Sequence, residues 1–144
     1  MTIVNVSVAK KAVKLGHRQV TWVPRHVAEE LSADYAIISI ESLPRDRPDF
    51  HGNPKVLKVI SDIFEDTVEN PTEDTDELIP NLKTFINHYY GNTPLVVHCE
   101  QGIQRSQRIA RWISRELGYK LIDGPVILNT VDGEVIKVTP RHNF

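Results

Sequence analysis

Two near-continuous apolar runs constrain the fold more than anything else in this chain. Residues 35–40 read Tyr-Ala-Ile-Ile-Ser-Ile, and residues 94–97 read Pro-Leu-Val-Val before His98 and Cys99. Both have strand length, and neither shows a polar face. A strand with one wet face alternates apolar and polar residues, whereas a strand buried on both faces does not. Buried strands of this kind need cover on each side, and helices supply it in a parallel sheet. The expected fold class is therefore α/β, with a central, largely parallel sheet flanked by helices.

The rest of the chain supplies the other elements. Residues 3–8 alternate as a short strand does, and residues 20–23 form a second extended candidate. Pro24 suits the first position of a helix, where its missing N–H costs nothing, and residues 26–31 would be that helix. Residues 43–54 form a loop rich in Pro, Asp and Arg, and residues 56–60 the next strand. Residues 62–75 are an acidic loop containing Pro71. Leu78, Ile79, Leu82, Phe85, Ile86 and Tyr89 then recur at helical spacing, with Pro80 near the start and Gly91-Asn92 as the stop. Ile109, Ala110, Ile113 and Leu117 mark a second helix, closed by Gly118. In the tail, residues 126–128 and 135–138 flank Asp132-Gly133, a strong β-hairpin signal. There is no internal repeat and no low-complexity linker. A length of 144 residues suits one domain over residues 1–144.

Charge and composition narrow the partners. The formal net charge is −2, which gives no bulk attraction to nucleic acid or to an anionic membrane. Arg105, Arg108, Arg111 and Arg115 fall close together as a local basic patch, of which Arg108, Arg111 and Arg115 are read first as a solvated helix face. No apolar stretch spans a bilayer, and residues 1–15 lack the basic head and apolar run of a secretory signal. A cytoplasmic monomer is the expectation. The single cysteine cannot form an intramolecular disulfide and has no second thiolate with which to hold zinc. No metal or cofactor is expected.

Residues 95–106, Leu-Val-Val-His-Cys-Glu-Gln-Gly-Ile-Gln-Arg-Ser, run strand, loop, helix. A lone cysteine is more often a small buried hydrophobe than a nucleophile. Here, however, Glu100, Gln101, Gly102, Ile103 and Gln104 separate Cys99 from Arg105. A loop that curls into the first turn of a helix points backbone N–H groups inward and forms an anion-binding nest. Gly102 permits the backbone such a curl requires. Arg105 would grip two phosphate oxygens with its planar fork. Cys99 would sit at the base of this electropositive cradle, which favours a nucleophilic thiolate. Ser106 would donate to the departing sulfur, and His98 would order the loop rather than exchange protons.

The run His98-Cys99-x5-Arg105-Ser106 resembles the signature loop of the protein tyrosine and dual-specificity phosphatase superfamily. The order of elements is similar from the strand at 35–40 to the helix ending near Leu117. Low-molecular-weight phosphatases carry a similar loop near the N-terminus, so its late position here favours the dual-specificity order. The tail departs from the family, whose members usually end in further helices. The resemblance implies double displacement through a phosphocysteine. It also implies an aspartate general acid on a loop upstream of the cysteine. Asp66, in Phe64-Glu-Asp-Thr, is nearer the usual spacing, and Asp62, just after the strand at 56–60, is the second candidate. An acid is needed because an alkoxide or phenoxide leaves poorly unprotonated.

The implied substrate is a phosphorylated protein or a small phosphomonoester. Phosphotyrosine comes first, with phosphoserine and phosphothreonine as further candidates. None of Glu100, Gln101, Ile103 and Gln104 is basic, which argues against polyphosphorylated lipids, for which similar loops carry lysines. Trp22 and Tyr90 are candidate aromatic flanks for a pocket, against the plainer reading of core or rim. Two other readings stay open. A rhodanese-type sulfurtransferase also cradles a cysteine, although its loops are usually one residue shorter and lack the Arg-Ser ending. A catalytically weak phosphoprotein-binding module would grip phosphate without cleaving it.

Overall fold

The computed structural model describes residues 11–41, 48–60, 78–99 and 104–140. The strands are β1 (Val13–Lys14), β2 (Gln19–Trp22), β3 (Ala36–Glu41), β4 (Val56–Ile60), β5 (Leu95–Cys99), β6 (Lys120–Leu121), β7 (Val126–Asn129) and β8 (Val135–Val138). The helices are α1 (Arg25–Ala28), α2 (Leu78–Tyr89) and α3 (Gln104–Leu117). Five strands form one sheet in the order β4-β3-β5-β2-β6, and every neighbouring pair is parallel. This is the α/β arrangement that the two apolar runs predict. The runs themselves, β3 and β5, lie side by side at its centre.

The register decides which residues meet. Ser39 stands beside His98, and Ile40 beside Cys99. Successive residues of a strand point to opposite faces. On one face Ile38, Ile40, Val97 and Cys99 join Leu82 and Ile86 of α2 and Ile109 and Ile113 of α3 in a single core. On the other face Ile37 and Val96 pack with Val27 and Ala28 of α1 and with Val126 and Leu128 of β7. Both strands are buried at every position.

The second face is closed by a small separate sheet. There β7 pairs with β8 antiparallel, joined through Asp132 and Gly133, and β1 adds to β7 in parallel. The strands β1 and β6 are two residues each and carry no local signal in the sequence. The helix after Pro24 is shorter than its pattern suggests: Pro24 is its N-cap, it ends at Ala28, and Leu31 is instead drawn into a bridge with Thr130. Both α2 and α3 are followed by a glycine with positive φ, 81° at Gly91 and 80° at Gly118, a conformation that glycine adopts without a Cβ penalty. The strand expected at residues 3–8 and the acidic loop at 62–75 lie outside the described residues. So does the segment 42–47 of the loop at 43–54. No helix among the described residues is long and apolar enough to cross a membrane.

Trp112 shows how α3 is held. Its side chain is 1% exposed against the sheet, and its indole Nε1–H has no hydrogen-bond partner among the described residues. Packing therefore fixes it. Trp112→Ala is expected to cost about 3–5 kcal/mol in urea unfolding. Trp112→Phe is expected to cost clearly less, because it removes ring volume but forfeits no hydrogen bond.

Candidate active site

Cys99 ends β5, the middle strand of the sheet, and is 2% exposed. Its Sγ lies 3.6 Å from Ser106 Oγ, in hydrogen-bonding reach for sulfur. A thiol here donates to the hydroxyl; once ionised, it accepts the hydroxyl proton instead. Ser106 is fully buried in the first turn of α3, and the half-buried Arg105 precedes it. The N-terminal turn of a 14-residue helix thus lies against the sulfur. Such a turn carries N–H groups that have no acceptor within the helix, and the positive end of the helix dipole, both of which favour an anion.

The opposite sheet face holds the other half of the site. His98 is fully buried, its ring 5.7 Å from that of Phe50. Its Nε2 lies 2.7 Å from Ser39 Oγ, which in turn donates to Glu41 Oε2 at 3.0 Å. Ser39 is 0% and Glu41 2% exposed, so the whole chain of contacts is dry. Burial pushes the His98 pKa down to about 4; the Cys99 backbone and the Glu29 carboxylate pull it up, and Arg25 pushes it further down. The Cys99 backbone affects the ring without reaching hydrogen-bond geometry at Nδ1. At neutral pH the imidazole is uncharged, which suits an ordering role better than a proton-transfer one.

The structure brings His98, Cys99, Arg105 and Ser106 together at the junction of β5 and α3. Gln104 begins α3. Glu100, Gln101, Gly102 and Ile103 lie outside the described residues, as do both candidate acids, Asp62 and Asp66. Trp22 is fully buried in the core and lines no rim. Tyr90 packs edge-on against Tyr119, with the Arg18 guanidinium 5.3 Å from its ring centre. Arg108, Arg111 and Arg115 are all exposed on α3, as a solvated face should be. A cleft of about 260 Å3, lined by residues including Lys14, His17, Lys55 and Thr93, opens at the N-terminal edge of β3 and β5, away from Cys99.

No family model, curated protein or solved structure matches the chain.

Sequence patterns alone did not single out Ser39 and Glu41. A signal was present: a strand buried on both faces cannot leave a serine or a glutamate without partners. The two residues are also spaced to share one face.

The His98 pKa makes stability depend on pH. The folded ring stays neutral down to about pH 4, while the unfolded ring takes up a proton below its ordinary 6.5. The stabilisation is thus complete above pH 6.5 and is lost as pH falls towards about 4, by up to roughly 3 kcal/mol. Unfolding free energies measured across that window should fall more steeply for the natural chain than for His98→Asn. Parallel slopes would contradict a buried neutral ring.

Proposed function

We propose that this chain hydrolyses phosphomonoesters through a phosphocysteine on Cys99, with protein phosphotyrosine as the first substrate class. Phosphoserine and phosphothreonine are the further candidates. The observation that carries the reading is the placement of Cys99. It ends the central parallel strand, with its sulfur 3.6 Å from Ser106 in the first turn of α3. In open α/β sheets, ligands bind outside the carboxyl ends of the strands. A phosphoryl group there meets the sulfur, the helix N-terminus and Arg105 together.

The chemistry is a double displacement. The Cys99 thiolate attacks phosphorus, an S–P bond forms, and the P–O bond to the leaving group breaks. The leaving oxygen takes a proton from an upstream carboxyl, Asp66 or Asp62. Water then attacks the phosphocysteine, giving its proton to the same carboxylate, and the S–P bond breaks as inorganic phosphate forms. Ser106 donates its hydroxyl proton as a hydrogen bond to the sulfur as negative charge returns to it. Arg105 holds the equatorial oxygens, where fixed charge contributes most of the rate.

Hydrolysis of an aryl phosphate in reductant and chelator tests this. Turnover should survive the chelator and vanish in Cys99→Ser. Arg105→Lys should lose much of it, since a lysine cannot make the bidentate contact. The acid is whichever of Asp66→Asn and Asp62→Asn loses about 100-fold or more in kcat. No turnover by the natural chain would refute the reading. Phosphopeptide binding without turnover would then favour the binding module, and thiosulfate turnover the sulfurtransferase.

A further inference from the structure

The Ser39 hydroxyl has one proton and two close neighbours, Glu41 Oε2 at 3.0 Å and His98 Nε2 at 2.7 Å. A carboxylate oxygen only accepts, so the hydroxyl proton goes to Glu41. Ser39 Oγ is then left to accept, and His98 Nε2 must be the nitrogen that carries the proton. A second observation points the same way. His98 Nδ1 is buried and has no hydrogen-bond partner among the described residues. A proton there would face only the Cys99 backbone, outside hydrogen-bond geometry, which is costly for a buried donor.

The position of this chain of contacts matters as much as its polarity. Ile40 and Cys99 are the last register pair between β3 and β5. Strand ends are where pairing loosens first. His98, one residue before Cys99, is gripped from the face opposite the sulfur. The grip is shielded from water, because all three side chains are dry.

Building on the phosphatase reading, we propose that Ser39 and Glu41 are positioning residues. In this proposal a buried carboxylate–hydroxyl–imidazole relay holds His98 as the Nε2–H tautomer. Through His98 it sets the end of β5 so that the Cys99 sulfur meets the phosphorus in line. None of the three exchanges a proton with substrate.

The test uses the full chain labelled with 15N and reads the imidazole nitrogens of His98 at neutral pH by two-bond 1H–15N correlation. Aryl phosphate kinetics are measured beside it. The natural chain should show a protonated Nε2 and a bare Nδ1. Ser39→Ala should lower kcat about tenfold or more with KM within about twofold, because small misplacements of a reacting group cost rate rather than binding. Ser39→Thr, which keeps the hydroxyl, should restore most of the loss. Glu41→Gln, which keeps an acceptor but removes the charge, should fall between. A protonated Nδ1 in the natural chain overturns the relay, and so does unchanged kcat in Ser39→Ala when the natural chain turns over. If the natural chain shows no hydrolysis, the phosphatase reading and the positioning role fall together, and the imidazole spectrum alone decides whether the relay exists.

Discussion

Strand β5 is buried on both faces and paired on both edges, to β3 and to β2. A residue in such a strand has no freedom to turn: its neighbours on each side fix which way it points. Cys99 is sent towards α2 and α3, and His98 towards Phe50 on the face that α1 and the small sheet cover. The division of the site results from this. The sulfur meets the first turn of α3 on one face. The imidazole meets Ser39 on the other, because Ser39 is its register partner.

Burial also fixes the chemistry available to each group. The dry surroundings of His98 hold its pKa near 4 and remove it from proton transfer at neutral pH. The same surroundings make an unpaired polar atom expensive, so the Glu41–Ser39–His98 chain forms a connected set rather than three separate residues. On the other face the first turn of α3, with Ser106 Oγ 3.6 Å from the sulfur, presents the positive end of a helix dipole. The site thus sits between a polar anchor and an anion-favouring turn, with one strand end joining them.

Much of this was legible in the sequence because it is written in local patterns. The apolar runs at 35–40 and 94–97 mark strands covered on both sides, and β3 and β5 stand at the centre of the parallel sheet. The spacing of Ile109, Ala110 and Ile113 marks the buried side of α3. What escaped is decided by long-range pairing. The strands β1 and β6 are two residues each, largely exposed, and exist only because β7 and β2 lie alongside. The helix after Pro24 ends early because Leu31 is taken by Thr130. The contact between Ser39 and His98 joins residues 59 apart in sequence, so no local spacing announces it. Asp62 and Asp66 lie outside the described residues, and their assignment stays with the resemblance that suggested them.

The central claim is that phosphorus is transferred to the Cys99 sulfur. The direct measurement is acid quenching of the full chain during turnover of a 32P-labelled phosphotyrosine peptide, with mapping of the labelled fragment. The account predicts label on the fragment containing Cys99, bound with the acid stability and iodine sensitivity of a thiophosphate ester, and none on Cys99→Ser. Turnover with label on another residue, or label retained by Cys99→Ser, would contradict it.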